Sequence, residues 1–96
     1  IVTASGSAGT HAGLLAGLAV TGCDIPVLGI GVRAAREAQE ANVYRLARET
    51  AALLGHEDRM TREMVVCDCN YVGAGYGLIN EGVIETLKTL ARLDAI

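Results

Sequence analysis

The sequence predicts an α/β fold, a three-layer βαβαβα segment with parallel strands, and three observations predict it. Three short runs rich in β-branched or apolar residues, Ile1–Thr3, Val27–Val32 and Met64–Asp68, are each followed by a stretch with helical character. The middle run, Val27-Leu28-Gly29-Ile30-Gly31-Val32, shows no polar alternation, as expected of a strand covered on both faces, and such strands belong to parallel sheets with helices on each side. The passage from the first run into its helix is a turn of small residues, Ser5 to Gly13. Strand–helix alternation with short links gives right-handed crossovers. At 96 residues there is room for one domain or part of one.

The first strand feeds Ser5-Gly6-Ser7-Ala8-Gly9-Thr10-His11-Ala12-Gly13, where three hydroxyls and three glycines crowd into nine residues. Gly6 and Gly9 let the backbone bend and let a ligand approach it. The N–H groups of Ser7, Ala8, Gly9 and Thr10 then converge at the positive end of the following helix, and the hydroxyls of Ser5, Ser7 and Thr10 reach the same point. No basic residue lies between Ile1 and Val32, so dipoles rather than a full charge would hold the anion. Gly9, Gly13 and Gly17 recur every four residues and are expected to line a face that lies close to a neighbouring backbone. A capped strand-to-helix turn needs less than this, and a phosphate-binding loop is the better reading.

Gly22 stops the first helix and Ile25-Pro26 opens the second strand. Arg33 and Arg36 follow that strand, either near a ligand at its carboxyl end or paired with Glu37 or Glu40. From Ala34 to Leu54 the pattern is helical, with Val43, Leu46, Ala47, Leu53 and Leu54 apolar, Tyr44 packing at the flank and Arg45–Glu49 an i, i+4 pair. Gly55 ends it, and His56 lies in a polar connection without an assigned role. After the third strand comes a glycine-rich loop with Tyr71 and Tyr76. A last helix follows from about Asn80, its N-cap, to Leu93, with Val83, Ile84, Leu87, Leu90 and Ala91 as its apolar stripe.

Known loops fit poorly. A P-loop needs a Gly-Lys-Ser/Thr ending, and this loop contains no lysine. The dinucleotide fingerprint needs glycine where Ala8 stands and an acidic residue where Val32-Arg33 stand. The nucleophile elbow needs glycine where Ser5 stands. Ser7 and His11 are four apart, but no acid is placed to orient the histidine, so a hydrolase triad is not expected. The stretch Ala4 to Leu14 instead resembles the phosphate loop of the D-cysteine desulfhydrase and 1-aminocyclopropane-1-carboxylate deaminase family. A second match, Tyr71-Val72-Gly73-Ala74-Gly75-Tyr76-Gly77 followed by Asn80-Glu81-Gly82, stands in that family's order and at about its spacing.

The resemblance implies the large cofactor domain of a fold-type II pyridoxal-phosphate enzyme of the tryptophan-synthase-β-like fold. By the same resemblance, Gly6, Ser7, Ala8, Gly9 and Thr10 bind the phosphate of pyridoxal 5′-phosphate, and Tyr76 borders the substrate as a catalytic residue. A small amino acid is the implied substrate, a lyase or deaminase reaction the implied chemistry and a homodimer the implied assembly. The chain departs from the pattern at Ile79, usually proline, and at Ala8, commonly glycine, a mild change if the residue keeps negative φ. Such chemistry needs a lysine linked to the cofactor. The only lysine is Lys88, placed beside Glu85 as in a surface ion pair. Residues 1–96 are therefore expected to be a single segment of the cofactor domain, incomplete at both ends and inactive alone.

The net charge of −3 gives no field for nucleic acid, and no apolar run approaches a membrane span. Cys23, Cys67 and Cys69 lack disulfide or metal spacing. Cys67 and Cys69 are expected to alternate across a strand as free thiols in a reducing cytoplasm, with no metal site. Two alternatives come from other classes: a stand-alone phosphate- or nucleotide-binding α/β module, and a noncatalytic interaction domain reusing the fold.

Overall fold

The computed structural model describes residues 1–95. Strand β1 (Val2–Ser5) leads to helix α1 (Gly9–Thr21), β2 (Leu28–Gly31), α2 (Arg36–Leu53), β3 (Val66–Asp68) and α3 (Glu81–Asp94), with single turns of 3₁₀ helix at Glu57–Arg59 and Arg62–Met64. The strands form one parallel sheet in the order β1-β2-β3, as the strand–helix alternation predicts. Register aligns Thr3 with Gly29 and Cys67, and Ser5 with Gly31, so these residues share a face.

Both crossovers step the same way across the sheet, so α1 and α2 lie on that one face and pack on each other. The third layer of the expected arrangement is not assembled among the described residues. On the opposite face Val2 is 70% and Val66 42% exposed, and α3 buries no residue, leaving Val83, Ile84 and Leu87 of its stripe uncovered. The even apolarity of β2 has a different cause from two-sided cover. Its covered face is made of Gly29 and Gly31, both buried, and its other face of half-buried Leu28 and Ile30.

The core is a contact of small residues. Ala12, Leu15, Ala16 and Ala19 of α1 are buried in one cluster with Val43, Ala47 and Ala51 of α2, and Tyr44 packs at the edge. The glycine stripe faces the other way: a Cβ at Gly9, Gly13 or Gly17 would meet nothing within 4 Å. Alanine, a strong helix former, makes the close approach instead. Gly22 stops α1 with φ 72°, its N–H donating to carbonyls of the last turn, and Gly55 follows α2 with φ 78°. Asn80 caps α3 by accepting from Val83 N–H at 2.9 Å. Arg45–Glu49 forms as expected at 3.4 Å, and Arg36 pairs with Glu40 at 3.3 Å. Lys88 makes no ion pair with Glu85 among the described residues.

Glu40 protects the outer edge of β3. Its carboxylate, 7% exposed as a residue, accepts the Cys67 backbone N–H at 2.8 Å and is flanked by Arg36 and Arg62 at 3.3 Å each. Burial pushes its pKa up. The Cys67 N–H and the two guanidiniums outweigh burial and bring the carboxyl below its ordinary 4.5. A depressed acid pKa stabilises the fold fully above that value and loses its effect as pH falls through the lowered one. Glu40→Gln is therefore expected to lower stability at neutral pH and to flatten the decline below pH 4.5. Unfolding midpoints of both proteins across that range measure this.

Candidate functional site

The loops after β1 and β3 both leave the carboxyl ends of strands, where parallel α/β sheets bind ligands. The β1 loop is short, and its last residue, Ala8, is the N-cap of α1 with φ 78° and ψ −4°. The expectation of negative φ there does not hold. Left-handed backbone costs an L-residue roughly 1–2 kcal/mol. Here the turn from strand into helix demands it, and the Ala8 methyl is packed at 3% exposure.

An alanine cannot cap a helix, and no side chain or acidic residue takes its place in the first turn of α1. Gly9 and Thr10 are exposed, as is Ser7, and the hydroxyls of Ser7 and Thr10 make no hydrogen bond among the described residues. The first regular bond of the helix is Ala12 N–H to the Ala8 carbonyl, 2.8 Å. The result is a helix N-terminus with free donors, free hydroxyls and open space where a Cβ on Gly9 would stand. That donor set fits a phosphate.

Ser5 is not part of it. It is fully buried, and its hydroxyl lies 3.0 Å from His11 Nδ1. The pairing of Ser7 with His11 suggested by spacing does not form. His11 is also fully buried, close over Gly29 and 3.9 Å from Cys67 Sγ. Burial lowers its pKa, only partly offset by the Glu40 carboxylate, so the ring is neutral at neutral pH. Its Nε2 has no hydrogen-bond partner among the described residues. From α2, Gln39 donates to Ser5 Oγ at 2.8 Å and to the Gly6 carbonyl at 3.0 Å. With Ser5 inaccessible, this is an internal scaffold rather than a nucleophile and base.

Sequence reasoning missed Gln39 and misjudged His11, although a signal was present. Gln39 stands in helical phase with Val43, Ala47 and Ala51, and His11 with Leu15, so both lie on buried faces. The two thiols also differ from expectation. Cys67 and Cys69 are two residues apart and share the helix-covered face, Cys67 toward His11 and Cys69 against Gly31. Burial raises both thiol pKa values, all three cysteines are free, and no metal-ligating cluster forms among the described residues.

Tyr76 sits in the β3 loop, 70% exposed, at a groove also lined by Ile30, Val32, Tyr71 and Asn80. Arg33 links it to the first loop. A Cβ on Gly6 would meet Val32 Cγ2 at 2.9 Å and Arg33 Cδ at 3.8 Å, while the Arg33 guanidinium lies 5.6 Å from the Tyr76 ring centroid. Arg33 thus pairs with neither Glu37 nor Glu40. A separate depression, about 690 Å³ and lined by Tyr44, Arg48, Gly55 and Glu57, lies at the opposite end of the sheet. It sits at the C-terminus of α2, the negative end of a helix, and holds the Arg48–Glu57 ion pair at 2.8 Å. It is not an anion site.

No protein-family model matches the chain. Over all 96 residues it is 40% identical to a 1-aminocyclopropane-1-carboxylate deaminase of Pseudomonas syringae and 36% to one of Burkholderia ambifaria. It is 35% identical to a probable 1-aminocyclopropane-1-carboxylate deaminase of Schizosaccharomyces pombe. The chain spans 28% of the length of each. The resemblance carried by the two loop motifs therefore extends from the first residue to the last. No helix among the described residues is long and apolar enough to cross a membrane.

Proposed function

We infer that a chain similar from end to end to 1-aminocyclopropane-1-carboxylate deaminases supplies the cofactor-phosphate site of a pyridoxal-phosphate-dependent lyase or deaminase. One observation carries the assignment of the site: the uncapped, exposed N-terminus of α1 at the carboxyl end of β1, free of any competing acid. The backbone N–H groups from Ser7 to Thr10 would hold the phosphate, with the Ser7 and Thr10 hydroxyls adding donors. Gly9 keeps a side chain out of the approach, while Gly6 leaves room for the Val32 side chain beside it. Pyridoxal phosphate, when bound, supplies an electron sink for charge developing on the substrate carbon.

Tyr76 borders the substrate, and its hydroxyl holds or passes a proton there, with Arg33 fixing the ring against the first loop. The substrate is a small amino acid, a cyclopropane amino acid or D-cysteine. The whole enzyme is a homodimer working where its thiols stay reduced. The test uses the full-length protein with pyridoxal phosphate and either amino acid. Cofactor binding with release of keto acid is the expected result, and phosphate or nucleotide binding without turnover would favour a binding module. Tyr76→Phe removes one hydroxyl and leaves the ring's packing. Cofactor affinity is expected to stay unchanged while turnover falls by about a hundredfold, the lower end for a lost acid–base group. Loss of the cofactor in this variant would overturn the role given to Tyr76.

A further inference from the structure

We propose that Gln39 is the positioning residue of the anion loop, acting through its hydrogen bond to the Gly6 carbonyl. The role builds on the phosphate reading above but rests on its own geometry. Gln39 is 2% exposed and comes from α2, thirty-three residues away from Gly6 in sequence. The orientation of its amide is fixed by chemistry: a backbone carbonyl only accepts, so the nitrogen faces Gly6, and its second N–H goes to Ser5 Oγ at 2.8 Å. The Ser5 hydroxyl is thereby free to direct its own proton to His11 Nδ1, 3.0 Å away.

The consequence lies in the peptide between Gly6 and Ser7. A trans peptide is planar, and its C=O and N–H point in opposite directions. With the Gly6 carbonyl drawn inward to a buried amide, the Ser7 N–H is turned outward, on the exposed side of the loop. Anion binding by backbone donors depends on their being aimed in advance, because a loop that must first reorient loses affinity by the population of the competent state. Neither neighbour does this work. The Ser5 carbonyl accepts from Val32 N–H at 3.2 Å and belongs to the sheet, and Ala8 has no polar side chain. Gln39 is the single buried side-chain donor on the loop's carbonyls among the described residues.

Two variants separate positioning from stability. Gln39→Met keeps the length and removes both bonds. Ser5→Ala removes the hub hydroxyl and leaves the bond to Gly6. Both lose buried hydrogen bonds and are expected to lower the unfolding midpoint. In the full-length protein, well below that midpoint, Gln39→Met is expected to weaken pyridoxal phosphate binding about tenfold, the effect of one charge-assisted bond. It should also shift the phosphorus resonance of the bound cofactor, and Ser5→Ala should change neither. Backbone order parameters over Ser7–Thr10 in the cofactor-free protein, from nitrogen-15 relaxation, give a reading independent of the ligand. Gln39→Met should lower them, and Ser5→Ala should not. Gln39→Leu carries the same test if the methionine variant does not fold. Unchanged order parameters in both Gln39 variants overturn the proposal. Lowered order parameters in a protein that binds no pyridoxal phosphate uphold it and overturn the cofactor reading instead.

Discussion

Gly29→Ala is expected to destabilise the protein by about 3 kcal/mol, the upper end for overpacking a closed core. The new Cβ would collide with Cε1 and Nδ1 of His11 and lie 3.0 Å from the Ser5 Cβ. The imidazole has nowhere to go. It is fully buried, bonded to Ser5, and carried by a helix whose other buried residues are packed on α2. Adding one methyl group therefore means moving α1 off the sheet or pushing the ring out of its site. Denaturant unfolding of the full-length protein measures the loss. A second substitution identifies the cause: in a His11→Ala background, Gly29→Ala should cost far less, since the ring it collides with is gone. Equal costs in both backgrounds would show that the ring does not set the requirement for glycine.

Gly9→Val is expected to do the reverse, leaving the fold intact and removing cofactor binding. No atom lies within 4 Å of a Cβ at this position, and valine is a better helix former than glycine. Its side chain would stand over the free N–H groups that begin α1. Each donor denied to a charged oxygen is worth about 1.5–3 kcal/mol, so affinity for pyridoxal phosphate should fall by more than tenfold with no loss in unfolding midpoint. Gly13→Val is the matched control, equally open and one turn farther along the same helix. It should leave affinity unchanged. Equal effects of the two valines would mean that bulk on this helix face, rather than access to the N-terminus, controls binding.

The sequence by itself determined the order of elements, the parallel sheet and the places of the two loops at its carboxyl end. Gly22 and Asn80 mark helix ends by local backbone and capping preferences, which act over a few residues and so are legible in one chain. The turn from β1 into α1 was legible for the same reason, since consecutive small residues leading into a helix act over a few positions. The tertiary structure alone decided what each residue faces. It turned the glycines of α1 outward and the alanines inward, put both early helices on one face of the sheet, and buried Ser5 while leaving Ser7 exposed. It also placed Gln39 on Gly6, Glu40 on Cys67 and Arg33 over Tyr76. Those pairings join segments that only a crossover brings together, so no local propensity encodes them. A glycine such as Gly29 looks like any other until the ring it accommodates is in place.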